Sequence, residues 1–187
     1  SSTVIYPPVD VNKFPPIPGG EYFLSVGRLV SYKQPETLVD LFNELDLPLV
    51  IIGSGSEEKK LKAKAKSHIK ILGHVSETEL IHHYQKAKAL ISLHEEDFGL
   101  VYAEAQAAGK PVLALNTGGV REIVEHNKTG YLANNLEELK SAIINFSPQQ
   151  FNHLTIKQSS SRFSKERFKT EFVKVFNQEY LKYQSRL

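Results

Sequence analysis

The acidic residues of HEEDFGLVYAEAQAAGKP, which runs from His94 to Pro111, stand where a carboxylate could do chemistry. Glu95, Glu96 and Asp97 are consecutive, and seven residues separate Glu96 from Glu104. An ionised carboxylate only accepts hydrogen bonds. Glu104 falls in the second turn of an Ala-rich helix opened by Gly99, where it can accept hydroxyls from a vicinal diol such as a ribose. Glu96 lies in the preceding loop, nearer the place of a phosphate-linked group. Cations stand in another segment, GRLVSYK, which carries Arg28 and Lys33. Arg offers phosphate oxygens a planar fork of donors, and Lys a mobile point charge. Gly99 and Gly119 mark helix starts, where unpaired N–H groups and the positive dipole end favour an anion. These parts suit a sugar nucleotide, with its diphosphate, ribose and hexose.

Such residues act together only if the fold brings them to one edge. From Glu21 onward, short apolar runs alternate with amphipathic ones. YFLSVG, PLVIIG, IKILG, ALISL, KPVLAL and TGYLA read as strands. PETLVDLFNEL, SEEKKLKAKAKS, SETELIHHYQKA, the Ala-rich run and LEELKSAIINF read as helices, with a short one from Gly118-Gly119 to about Glu125. Continuous apolar strands imply burial of both faces, hence an α/β fold with a doubly wound, mainly parallel sheet. Ligands of such sheets lie beyond the carboxyl ends of the strands. GRLVSYK, GHVS, HEEDFG and NTGG follow the first, third, fourth and fifth strands and so fall at that edge.

The organisation has three parts. Residues 1–20, rich in proline and closed by Gly19-Gly20, read as an extended interdomain connector rather than a packed element. Residues 21–146 form the α/β domain, and 147–187 read as extra C-terminal helices. The last helix, from about 165 to 182, carries Phe168, Phe172, Val175, Phe176 and Tyr180 at helical spacing, a stripe for the core or for docking.

The composition narrows the function. A chain of 187 residues suits one domain with appendages, and a net charge of +2 is too small to argue for nucleic acid or an anionic membrane, so no nucleic-acid partner is expected. Cysteine is absent, which excludes a disulfide framework and a thiolate metal site and is compatible with a reducing cytoplasm. The sequence shows no apolar run of membrane-crossing length and no signal-peptide pattern. Methionine is missing even at position 1, which suggests a processed or excised piece of a longer chain.

Several residues have plainer readings. Arg28 alone would be a surface cation; Lys33 in the same loop favours a site. Asp97 is placed to cap the following helix, and Glu95 reads as solvated. For Glu122 a capping or structural hydrogen bond explains the residue as well as a site role does. His94 is either a contact to a donor sugar or part of the loop's structure. His82-His83 carry no metal reading, because adjacent helix positions diverge and no carboxylate partner is placed by sequence. KKLKAKAK is a solvated helix face, and Gly53-Ser54-Gly55 a turn.

The segment EDFGLVYAE, Glu96 to Glu104, resembles the E-x7-E signature of retaining glycosyltransferases of family 4. GRLVSYK resembles that family's phosphate-binding segment, and VIYPPVD, LGHVSETEL, EAQAAGKPV, GGVREIV and TGYL follow in the family's order. IYPPVD and EEDFG look most like the mannosyltransferase-type members. The resemblance covers roughly residues 3–146 and implies the C-terminal, Rossmann-like half of a GT-B fold. It implies that Arg28 and Lys33 hold the donor diphosphate, Glu104 the ribose and Glu96 the donor sugar. Backbone N–H groups near Gly99 and Leu100 would bind phosphate or sugar, with Phe98 in the same donor-binding loop, and His74 and Val75 would lie near the base.

The resemblance further implies a metal-independent reaction with no cofactor, a GDP-, UDP- or ADP-linked sugar as donor, and a missing N-terminal domain that binds a glycan or lipid-linked acceptor. The expected function is the donor half of a hexosyltransferase, inactive alone, cytoplasmic or peripheral at the membrane when complete. The alternatives are a non-catalytic nucleotide-binding or regulatory interaction module and another GT-B enzyme such as a nucleotide-sugar epimerase.

Overall fold

The computed structural model describes residues 3–185, so the outermost residues of the connector and of the C-terminal part lie outside the described chain. The strands are β1 (Tyr22–Val26), β2 (Leu49–Ile52), β3 (Ile69–Ile71), β4 (Ala87–Ser92), β5 (Val112–Leu115) and β6 (Gly130–Ala133). They form one sheet in the order β3-β2-β1-β4-β5-β6, with every neighbouring pair parallel. The helices are α1 (Pro35–Leu45), α2 (Glu58–Lys64), α3 (Glu77–Lys86), α4 (Leu100–Ala107), α5 (Val120–Ile123), α6 (Leu136–Ile144), α7 (His153–Ser160) and α8 (Lys165–Gln184). The expected doubly wound α/β architecture is therefore present.

Alternation along the strands divides the core between the two faces. Leu24, Val50, Leu90 and Val112 face one side, with Tyr84 of α3 and the alanines of α4. Phe23, Ile51, Ile91 and Leu113 face the other, against Phe42 of α1 and Leu139 of α6. The chain works outward from β1 to β3 and returns through α3 to β4, on the opposite side of β1. That reversal opens a crevice at the carboxyl ends of β1 and β4, the usual ligand position in such sheets.

Local signals set most boundaries. Pro35 opens α1 at its first turn, and a capping box of Ser76 and Glu79 opens α3. Where boundaries differ from the sequence reading, two cases have a visible cause. Helix α2 is shorter than SEEKKLKAKAKS because Leu61 is its one buried side chain and no side chain caps its start. Ala87 belongs to β4, pairing with Tyr22, so α3 passes into the strand without a loop.

The proline-rich N-terminal segment is more firmly packed than its prolines suggest. Val9, Val11 and Phe14 are buried in the α3/α4 side of the core. Pro7, Pro8, Pro15, Pro16 and Pro18 remove backbone donors, leaving a segment rich in unmatched carbonyls. Two lysines supply donors. Lys157 Nζ donates to the carbonyls of Val11 and Phe14, and Lys110 Nζ to those of Ile17 at 2.6 Å and Gly19 at 2.9 Å.

Lys110 is 1% exposed, and burial pushes its ammonium down to about 8. Above that value the folded chain sheds a proton that the unfolded chain keeps, so stability rises with pH until the ordinary lysine range is reached. Urea titrations at pH 7.5 and 9.5 should show the native chain gaining about 1–2 kcal/mol relative to Lys110→Met. Equal pH responses of the two chains would contradict this assignment.

No helix among the described residues is long and apolar enough to cross a membrane. Helix α7 lies against α4, burying Ile156. Helix α8 buries no residue, and Phe172, Phe176 and Tyr180 are exposed along it.

Candidate functional site

The crevice between β1 and β4 gathers a connected ion cluster. Lys33 ends a 3-10 turn (Ser31–Lys33) just before α1, and its ammonium donates to Glu96 Oε1. His94 Nε2 donates to the same oxygen at 2.8 Å. Because a carboxylate only accepts, the His94 proton sits on Nε2. Burial lowers the His94 pKa against the opposing pull of Glu96, so the imidazole is neutral at pH 7. Burial alone would raise Glu96, but the hydrogen bonds from Lys33 and His94 outweigh it and hold the carboxyl below its usual range. One cation and one anion thus balance, and the ammonium keeps N–H donors beyond the one given to Glu96.

Arg28 follows β1 on the exposed side of the same corner. Its guanidinium donates to the Tyr32 hydroxyl at 2.6 Å and lies 6.0 Å from that ring's centroid. Arg28, Lys33 and His94 line a small cavity of about 20 Å³, room for a single water. A phosphate held by these cations must therefore sit on the open side of the cluster.

The start of α4 borders this corner. Gly99 occupies its N-cap position with φ of 90°, and no side chain caps the helix. Asp97 does not fill the capping role expected of it: the left-handed turn at Gly99 sets the helix boundary two residues beyond Asp97. The first N–H groups of α4 consequently lack a side-chain acceptor and suit an anion. A Cβ at Gly99 would meet the Tyr102 ring at 2.3 Å, and the Tyr102 hydroxyl pairs with Ser92 Oγ at 2.9 Å.

The loop after β5 is laid directly on the acidic loop. Gly119 N–H donates to the Glu96 carbonyl at 2.8 Å, and Thr117 Oγ1 donates to Glu95 Oε2 at 2.8 Å. Glu95 is exposed yet anchored, not simply solvated. A Cβ at Gly118 would stand 2.6 Å from the Glu96 carbonyl oxygen, and one at Gly119 would stand 2.4 Å from that of Asp97. This close approach is why two glycines are needed there.

Glu104 is half-buried one turn into α4, flanked by the buried Ala103 and Ala105. Its Oε2 accepts the Tyr84 hydroxyl at 2.8 Å. Burial raises the Glu104 pKa, partly offset by the Tyr84 hydrogen bond. Oε1 accepts nothing from the described residues and is not among the buried unpaired atoms, so it is available to a hydroxyl donor.

The remaining expected residues divide. Leu100, the first residue of α4, is exposed beside the Gly99 turn. The Phe98 ring is stacked on Tyr6 at 5.6 Å and set edge-on to Phe163 at 5.4 Å, so its ring anchors the loop and its backbone is what remains for a ligand. His74 and Val75 line a groove of about 670 Å³ with Leu72 and Tyr22, which shares no lining residue with the Lys33 cavity. In that groove His83 Nδ1 pairs with the Tyr22 hydroxyl at 2.8 Å, a structural role. Sequence reasoning missed Tyr84, Tyr102, Ser92 and Thr117. An aromatic on the apolar face of α3 was the one available signal for Tyr84.

A family model described as "Glycosyl transferases group 1" matches residues 10–166. The chain belongs to the group 1 glycosyl transferases. An uncharacterized glycosyltransferase of Methanocaldococcus jannaschii is 33% identical over 149 residues, which cover 76% of this chain and 42% of that protein. A GDP-mannose-dependent alpha-(1-6)-phosphatidylinositol monomannoside mannosyltransferase of Mycobacterium tuberculosis is 32% identical over 155 residues, covering 66% of this chain and 40% of that protein. This group 1 glycosyl transferase chain thus spans about two-fifths of the length of these curated relatives. Anabaena HepE, crystallised with UDP-glucose, superposes with a TM-score of 0.79 at 20% identity, covering 94% of this chain and 57% of that one. At that identity the likeness concerns the fold.

Proposed function

We propose that this chain is the donor-binding half of a retaining glycosyltransferase of family 4, one that transfers a hexose from a nucleoside diphosphate sugar. The observation that carries the reading is the shared position of Lys33, His94, Glu96 and the uncapped start of α4, with Glu104 one turn deeper. Lys33, Arg28 and the α4 N–H groups hold the diphosphate and stabilise its charge as it leaves the sugar. This division gives the leaving-group charge to protein cations and dipoles and requires no metal or cofactor. Glu96, already fixed by Lys33 and His94, faces the donor sugar. Glu104 takes the ribose hydroxyls, and the groove at His74 and Val75 takes the base.

The donor is a UDP-, GDP- or ADP-linked sugar. Mannose is favoured by IYPPVD and EEDFG and by the GDP-mannose dependence of the mycobacterial relative. A glycan or lipid-linked acceptor is bound by an N-terminal domain outside this chain, joined through residues 1–20. The chain alone therefore binds donor and transfers little. The division into connector, α/β domain and C-terminal helices is part of the same proposal, as is a cytoplasmic or membrane-peripheral place for the whole enzyme.

Titration calorimetry with UDP, GDP and ADP tests the reading. Binding by at least one is expected, and silence from all three overturns it.

A further inference from the structure

Tyr84 is fully buried, yet it reaches the edge of the proposed ribose site. Its hydroxyl has one strong acceptor, Glu104 Oε2 at 2.8 Å, with the Val101 carbonyl much farther at 3.4 Å. The ring cannot swing away. Phe14 meets it edge-on at 5.6 Å, and the Phe14 carbonyl is itself held by Lys157 at 2.9 Å. Residues of the connector thus brace a side chain of α3, which in turn grips the carboxylate on α4. Half-buried glutamates have several rotamers, and a fixed donor on one oxygen selects the rotamer and leaves the other oxygen for ligand.

We propose that Tyr84 is the positioning residue for the nucleotide's ribose, its hydroxyl fixing Glu104 Oε2 so that Oε1 meets the ribose diol. This rests on the reading of Glu104 as the ribose acceptor. The Tyr84 hydroxyl also favours the ionised form of Glu104, against burial and the nearby Glu77, which lies on α3 and is paired with Lys13. Two effects follow from removing the hydroxyl. The carboxylate loses its fixed direction, and its protonation moves to higher pH, so that the acid-side loss of nucleotide binding begins earlier.

The test is a double-mutant cycle read by calorimetry between pH 5 and 8. The chains are native, Tyr84→Phe, Glu104→Gln and the double variant. The probes are inorganic pyrophosphate and whichever of UDP, GDP and ADP binds the native chain. Tyr84→Phe should weaken the nucleotide roughly three- to tenfold at pH 7, leave pyrophosphate unchanged, and move the acid limb of nucleotide binding to higher pH. In the chain that already carries Glu104→Gln, the same Tyr84→Phe change should cost no nucleotide affinity and shift no acid limb. Equal losses from Tyr84→Phe with and without Glu104→Gln would overturn the positioning role, as would an unmoved acid limb. If Glu104→Gln by itself spares the nucleotide, the ribose assignment fails first, and the role of Tyr84 falls with it. If the Tyr84→Phe chain is too unstable to assay, the Tyr84 ring and the Glu104 carboxyl of the native chain are followed together by NMR. Both should respond to nucleotide and neither to pyrophosphate; silence of either with nucleotide, or an equal response to pyrophosphate, overturns the proposal.

Discussion

Glu104→Gln is expected to raise the melting temperature at pH 7 while weakening nucleoside diphosphate binding roughly thirtyfold and sparing pyrophosphate. Burial raises the Glu104 pKa in the folded chain. A carboxyl raised in this way contributes stability that is present below its unfolded pKa and is lost as pH rises through its folded one. Ionising the side chain therefore opposes folding, and a neutral amide of the same shape relieves that opposition. Gln can still accept the Tyr84 hydroxyl through its carbonyl oxygen. It cannot offer a second anionic oxygen to a diol, and the loss of one charge-assisted hydrogen bond is worth about 2 kcal/mol. Opposite signs for stability and affinity are the mark of a group kept for a ligand. Thermal melts at pH 7 and calorimetry with UDP, GDP or ADP check both halves. A variant that melts lower and binds as before would contradict the assignment.

Lys33→Met should instead weaken nucleotide and pyrophosphate together, by roughly 10- to 100-fold, because it removes a cation from the diphosphate and not from the ribose. It also strands Glu96, whose carboxyl keeps its charge next to the phosphate site with only the neutral His94 as partner. Adding Glu96→Gln removes that repulsion and should recover roughly fivefold in pyrophosphate affinity. Stability carries its own signature. Glu96 is held low by Lys33 and His94, so its contribution is present above the unfolded carboxylate pKa and is lost as pH falls through the folded one. Without Lys33 that loss should move to higher pH, which acid titration of the folded chain would show. Unchanged pyrophosphate binding in Lys33→Met would remove Lys33 from the phosphate site.

Much of this is legible in the sequence. Buried parallel strands are short continuous apolar runs, and all of YFLSVG, PLVIIG, IKILG, ALISL, KPVLAL and TGYLA form strands of one sheet. Once the strands are known, the carboxyl-end rule places Arg28, Lys33, His94 and Glu96 on one edge, and the sheet order puts their loops at the reversal between β1 and β4. The finer placements depend on tertiary geometry. Asp97 looks like a cap because caps are often acidic, but the left-handed Gly99 moves the helix start past it. Phe98 sits inside the motif, yet its ring belongs to a cluster with Tyr6 and Phe163 from distant segments. The proline-rich connector reads as loose because sequence shows missing donors; it does not show that Lys110 and Lys157 supply them. For Tyr84 the sequence offers a buried aromatic on α3 but no role, since its partner lies twenty residues away on another helix.

The most direct measurement of the central claim is a set of backbone amide NMR spectra recorded as UDP, GDP or ADP is added. Shifts are expected to concentrate at Gly27, Lys33, Gly99, Leu100 and Gly119, the carboxyl-end loops around the β1–β4 crevice, with Glu104 moving for nucleotide and not for pyrophosphate. Shifts confined to the opposite end of the sheet, around Lys88 and Lys110, would contradict it.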